Sequence, residues 1–484
     1  MACVRALLAV PLVAAAALVA AGCGGGGSAG GAGAVRVAAT APETASLAPK
    51  DAGAWVEVDV DRSSAQWRQL EAFLARLPGG RKALDEALSQ VGGSMLDLER
   101  DVQPAIGDTL VLVVPRGAER PVALVRPEDE GKLAALLAQT KEPEATAQVR
   151  GWTAIGRTRA ALDAYTAALA SGTLADSPRF SALVGDLPDE ALARGWVDSA
   201  GLSALVGSAA GSVAAARGLG PIPGIAPGDV GAAAFAVSAT DGALRLEGSA
   251  ETTRGVTAYA PTLLRRLPSD ALLAISFHGG KQLASQLGSA AGADAAGALE
   301  RQLGVPLADL AAALDGECVL YARAGGPIPE ITLAVKPSDP ARAEATLSAL
   351  VAKLSASGSS GSALPLPLPA LHAERRGDLV VVSTAEGAAA QLASGGAKLV
   401  DTKRFQQAAA DAGLGDETAG FVYVDVRSLG PLVKTALGAL GGSSGSSSRS
   451  TDDAFGALAA LDTVAFGAAV DGARVRFAGA VRAG

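Results

Sequence analysis

The chain is poor in the residues that most often carry chemistry. Its 484 residues include three cysteines, two histidines and two methionines, and aromatic side chains make up 4%. Cys3 and Cys23 both lie near the N-terminus, so Cys318 stands alone in the remainder and an internal disulfide pair is excluded there. Stability must therefore come from packing. Cys318 sits in the apolar run Cys318-Val319-Leu320-Tyr321, which reads as a buried structural thiol rather than a reactive one. His278 and His372 lie in unrelated contexts and make no His-x-x-x-His metal spacing. Separate packing, surface or capping roles are expected of them, and no metal or cofactor is expected.

Other signatures are missing too. The glycines do not form the phosphate-loop pattern Gly-x-x-x-x-Gly-Lys-Ser/Thr, and a Cys-x-x-Cys pair is absent. The serine-rich tracts present no nucleophile elbow. Charge is balanced and mildly acidic, with 41 basic and 49 acidic residues giving a formal net charge of -8. Without a basic stripe, nucleic acid is not an expected partner.

What is present begins at the N-terminus. Arg5 precedes an almost wholly apolar, alanine- and leucine-rich stretch over residues 6–21, interrupted by Pro11. That stretch has the length of a secretory signal and is short for a membrane span. It ends at Ala20-Ala21-Gly22-Cys23, followed by four glycines. Small residues let a signal peptidase close around extended backbone, and a cysteine thiol can carry a diacylglycerol. The segment resembles a bacterial lipobox, with Ala20 standing where leucine is usual. Residues 1–22 are read as a lipoprotein signal peptide and Cys23 as the lipidation site, anchoring the chain to the extracytoplasmic face of the cell membrane. Residues 23–44 are read as the acylated cysteine and a Gly/Ala/Ser tether, spanning about 25 Å on Gly-rich coil scaling.

Beyond the tether the order of motifs recurs. Trp55-Val56-Glu57-Val58-Asp59 leads into an amphipathic stretch over 64–77, as Leu272-Leu273-Ala274-Ile275-Ser276 leads into one near 281–287. Arg126-Pro127-Glu128-Asp129 and Lys336-Pro337-Ser338-Asp339 each close a strand and open a helix. Proline favours extended backbone before it, and the aspartate can cap the helix after it. Leu174-Ala175-Asp176-Ser177-Pro178-Arg179-Phe180 matches Leu399-Val400-Asp401-Thr402-Lys403-Arg404-Phe405, and Trp196-Val197-Asp198 matches Tyr423-Val424-Asp425. Asp241-Gly242 and Asp471-Gly472 each join alternating apolar strands, a strong hairpin signal. The expected fold class is α+β, in two divergent tandem copies over 45–262 and 263–484 with mainly antiparallel sheet and packed helices. One composite structure built from both copies is the alternative. Small-residue stretches at 211–228, 355–361 and 440–451 are read as loops within the copies.

The run Leu47-Ala48-Pro49-Lys50-Asp51-Ala52, the strand pattern Trp55-Val56-Glu57-Val58-Asp59 and the helix after it resemble the DUF3352 family, as do the 174–180 segment and Trp196-Val197-Asp198. The resemblance covers most residues after the tether. It implies an exported bacterial protein of uncharacterised function and brings no catalytic residues.

Two acidic constellations carry candidate chemistry. Glu57, Asp59 and Asp61 alternate on one strand face and would hold calcium if further oxygens converged on them. A solvated strand face is the expected outcome, since the second copy has no such triplet. Asp198 and Asp425 occupy matching places, and helix capping is expected of them above paired acid and base roles. Catalytic residues are not assigned, and an enzyme is the less expected class. The functional expectation is a binding or scaffold lipoprotein whose partner is an envelope protein, a lipid or a polymer. An envelope hydrolase or a self-assembling structural protein is the alternative.

Overall fold

A computed structural model of the chain describes residues 41–82, 84, 98–118, 120–138, 144–199, 201, 230–253, 255–280, 297, 300–301, 303–325, 329–358, 370–430, 432 and 459–484. The predicted signal, Cys23 and nearly all of the tether lie outside these residues, as do the stretches at 211–228 and 440–451.

The first half runs β1 (Ala54–Asp59), α1 (Ala65–Ala75), α2 (Gln103–Ile106), β2 (Thr109–Val114), β3 (Val122–Val125), α3 (Glu130–Ala138), β4 (Ala145–Val149), β5 (Trp152–Gly156), α4 (Arg159–Leu169), α5 (Pro178–Val184), β6 (Ala193–Asp198), β7 (Val230–Thr240) and β8 (Ala243–Thr252). The second half continues with β9 (Ala271–His278), α6 (Leu307–Ala313), β10 (Gly316–Arg323), β11 (Glu330–Pro337), α7 (Pro340–Gly358), β12 (His372–Arg376), β13 (Leu379–Ser383), α8 (Ala388–Ala393), α9 (Lys403–Asp411), β14 (Gly420–Asp425), β15 (Leu461–Asp471) and β16 (Arg474–Ala483).

All sixteen strands among the described residues belong to one sheet. Outward from its middle, one side reads β8-β7-β6-β1-β2-β3-β5-β4 and the other β16-β15-β14-β9-β10-β11-β13-β12. The expected α+β class with a large antiparallel sheet and packed helices is what forms. The halves are continuous through β8 and β16, which pair antiparallel from Arg474↔Glu251 to Arg482↔Ala243.

Both faces of the sheet are apolar, which is why its strands carry long buried runs. On one face Trp55, Val111, Val113 and Trp196 pack with Leu162, Tyr165 and Leu169 of α4 and Phe180, Leu183 and Val184 of α5. The same face in the second half gathers Val319, Tyr321, Phe421 and Tyr423 under α8 and α9. On the opposite face Leu110 and Leu112 meet Leu133 and Leu136 of α3, while Cys318 and Val335 meet Ala343 and Leu347 of α7. Trp67, Leu70 and Phe73 of α1 cover the central strands through Val237, Leu244, Leu246 and Val464. Their spacing puts all three on one helical stripe.

Local signals place the helices. Ser64 accepts from the Trp67 amide at the start of α1, and Thr158 accepts from Ala161 at the start of α4. Ser177 and Thr402 accept from Phe180 and Phe405, starting α5 and α9 at matching points of the repeated motif. Residues 355–358, expected in a loop, instead complete α7. Ala343 and Leu347 fix this helix on the sheet ahead of that stretch.

The two hairpins differ by one residue. Thr240 pairs with Ala243, so Asp241-Gly242 fill the first turn. Asp471 pairs with Arg474 as the last residue of its strand, so the second turn is Gly472-Ala473. Gly242 and Gly472 have φ of 72° and 62°, where a side chain would be strained. A different constraint acts at Gly248, which pairs with Phe477 across the middle of the sheet. A Cβ there would collide with the Phe477 ring and the Ala234 carbonyl oxygen. Gly248→Val is expected to cost about 1–3 kcal/mol through overpacking, read as a lowered urea midpoint.

The outermost strands, β4 and β12, have five residues each. They carry Thr146 and Gln148 on one border and Glu374, Arg375 and Arg376 on the other.

Candidate functional site

The acidic triplet does not converge on a cation. Glu57 is half-buried and accepts from Arg194 Nη2 at 2.7 Å and from the Thr44 hydroxyl. Asp59 turns to Ser64 Oγ at 2.7 Å and the Asp61 amide at 2.9 Å, and burial raises its carboxyl above the ordinary range against those donors. Asp61 lies beyond β1 and caps the Ser63 amide at 2.8 Å. The fully solvated face expected here is therefore replaced by a bonded one, because β6 brings Arg194 opposite Glu57. Among the described residues no group of three or more acidic, histidine or cysteine side chains is arranged to hold a metal ion.

Asp198 and Asp425 act as caps. Asp198 Oδ1 accepts from Gly201 N at 2.7 Å, and Asp425 Oδ1 accepts from Ser428 N at 3.0 Å. Each also binds a guanidinium, Arg116 at 2.8 Å and Arg404 at 2.6 Å. Cys318 is wholly buried, and desolvation pushes its thiol up to about 12, which keeps it protonated and inert. The histidines stay apart in role: His278 ends β9 and stacks on Tyr259 with centroids 5.4 Å apart, whereas His372 starts the border strand β12.

A further concentration of charge lies where no motif pointed, at the seam between the halves. Asp411, at the end of α9, is buried and receives Arg245 Nη2 of β8 at 2.6 Å. Arg482 of β16 donates to its other oxygen through Nε at 3.0 Å and Nη2 at 2.6 Å, and Gln407 Nε2 adds a bond at 3.1 Å. Two guanidinium groups on paired strands thus share one carboxylate. Further bonds cross the seam: Arg474 Nη1 to the Ala182 carbonyl at 3.0 Å, Thr252 N to Ala473 O at 3.2 Å and Ala483 N to Gly242 O at 2.9 Å. Residues 255–270 connect the halves, and Tyr259 exchanges two 2.8 Å backbone bonds with Thr418. Chemically this is a clasp. It fixes two sheet halves in one register and brings together no nucleophile and base.

No family model and no curated protein matches the chain. Among solved structures, a chain described as "Structure of crystal form III of TP0453" overlaps at a TM-score of 0.24 and 6% identity, covering 44% of this chain and 82% of that one. That overlap is too small to carry an argument about fold or function. Among the described residues no helix is long and apolar enough to cross a membrane.

Proposed function

We propose that the protein is a lipid-anchored envelope protein that acts as a binding or scaffold platform at the extracytoplasmic membrane face. One observation carries the platform reading: sixteen strands form a continuous sheet, held across its middle by β8–β16 pairing and the Arg245–Asp411–Arg482 clasp. Such a sheet braces the helices packed on its two faces into a wide, stiff body that presents them to an envelope protein, a lipid or a polymer. The anchoring reading rests on the apolar 6–21 stretch, the Ala20-Ala21-Gly22-Cys23 sequence and the small-residue tether after it. The copies over 45–262 and 263–484 are read as divergent duplicates, supported by the matching strand succession on either side of the seam and by the matching caps Ser177 and Thr402.

Native mass spectrometry of the full protein, gently extracted from its own envelope, tests this reading. A reproducible mass beyond the lipid adduct supports a bound partner, and a bare acylated monomer argues against stable binding. Cys23→Ser is expected to move most of the protein from the membrane fraction to the soluble fraction, as read by blotting after fractionation. Unchanged membrane retention, with no lipid mass on the wild type, removes Cys23 as the anchor.

A further inference from the structure

The leading segment of each half is tied down by a threonine hydroxyl bonded to a glutamate on the sheet. In the first half Thr44 donates to Glu57, whose other oxygen is neutralised by Arg194 at 2.7 Å. In the second half Thr262 Oγ1 donates to Glu317 Oε2 at 2.5 Å, and Oε1 accepts from the Leu263 amide at 2.5 Å. Glu317 is 7% exposed and forms no ion pair among the described residues. The residues it holds belong to the chain segment that runs between the halves. The same stretch is fastened by Tyr259, whose hydroxyl lies 2.8 Å from Ser276 Oγ and whose ring stacks on His278.

We propose that Glu317 is a proton-responsive latch on residues 259–263, gripping the connection more firmly in acid than at neutral pH. The carboxyl faces charge from several elements. His278 is its cross-strand partner on β9 and Lys336 on β11, with Lys336 drawn 3.5 Å from Asp378. Arg266 approaches from the connection itself, Asp315 and Cys318 flank it along the chain, and Tyr259 lies over the same strands. Lys336 and Arg266 favour the carboxylate, as do the two donors, but burial outweighs them and holds the Glu317 carboxyl above its ordinary range.

The direction of the pH response comes from that balance. A carboxyl raised in the folded state contributes stability that is fully present below the ordinary carboxylate range. The contribution is lost as pH rises through the raised value. Once ionised, Glu317 gains more from water than from Thr262 and Leu263, so local openings that hydrate it become more frequent. Glu57 is ion-paired with Arg194 of the neighbouring strand β6, so the Thr44 tie in the first half serves as an internal reference.

Hydrogen–deuterium exchange of peptides spanning 255–270, comparing wild type with Glu317→Gln, tests the latch. Comparison at a single pH cancels the intrinsic exchange rate. Near neutral pH, wild type is expected to exchange roughly two- to tenfold faster than the variant, and at about pH 3, below the ordinary carboxylate range, the ratio should approach about one. An equal ratio at both pH values, or a faster-exchanging variant at neutral pH, overturns the proposal. Should Glu317→Gln fail to fold, the wild type alone decides. Protection over 259–263 relative to 44–47 should fall from acid to neutral pH, and a constant ratio rejects the latch.

Discussion

Asp411→Ala is expected to destabilise the protein by about 2–4 kcal/mol, because it strands two guanidinium groups at the seam. Removing one partner of a buried charge network usually costs about 3–5 kcal/mol. The lower figure reflects that Arg245 and Arg482 keep side-chain exposures of 29% and 24%, so water recovers part of the loss. Urea unfolding followed by two probes, one in each half, reads the effect. The midpoint should fall, and the two probes should separate if the clasp couples the halves. Asp186→Ala is the control, since Asp186 comes after α5 as Asp411 ends α9 but is exposed. It should stay within about 0.5 kcal/mol of wild type. An Asp411→Ala protein equally close to wild type would remove the clasp from the account of how the halves are held.

Phe180→Ala and Phe405→Ala should each cost about 3–5 kcal/mol, the usual loss for a fully enclosed phenylalanine. Phe180 sits edge-on between Trp55 at 5.5 Å and Trp196 at 6.0 Å. Phe405 sits between Phe421 at 5.6 Å and Tyr423 at 5.2 Å. The two substitutions are therefore similar in stability and different in spectrum. All four tryptophans lie in the first half, at 55, 67, 152 and 196. Phe180→Ala opens space beside two of them and should shift native-state tryptophan emission, while Phe405→Ala should leave it nearly unchanged. A matching emission change in both variants would mean that the two aromatic clusters are coupled through the sheet.

Local signals made much of this fold legible in the sequence. Aspartates closing a strand announced the caps at Asp198 and Asp425, and the matching Ser/Thr-x-Arg-Phe segments turned out to hold the starts of α5 and α9. These features work through residues three or four positions apart, which linear reading sees directly. The joint was not legible. Arg245 and Arg482 lie 166 and 71 positions from Asp411, and nothing near any of them marks the others as partners. The hairpin turns show the opposite failure: two Asp-Gly pairs looked equivalent, yet their strands close one residue apart. The register of β7–β8 and β15–β16 is set by what faces the core, including the fit of Gly479 beside Phe466 in the second hairpin, and a turn dipeptide does not override that packing. At Glu57 the strand pattern was visible but its partner was not, since Arg194 arrives from β6, 137 positions away.

The arrangement of strand lengths has a consequence for solubility. Each half ends in a ten-residue strand, and a strand of that length left unpaired would template growth of the sheet onto other molecules. β8 and β16 satisfy one another, which moves the free borders out to β4 and β12. Those are half as long and lined with glutamine, threonine, arginine and glutamate. The molecule thus hides its two most adhesive edges against each other and shows its surroundings two poor ones, a safeguard against fibrous aggregation in a sheet of this width.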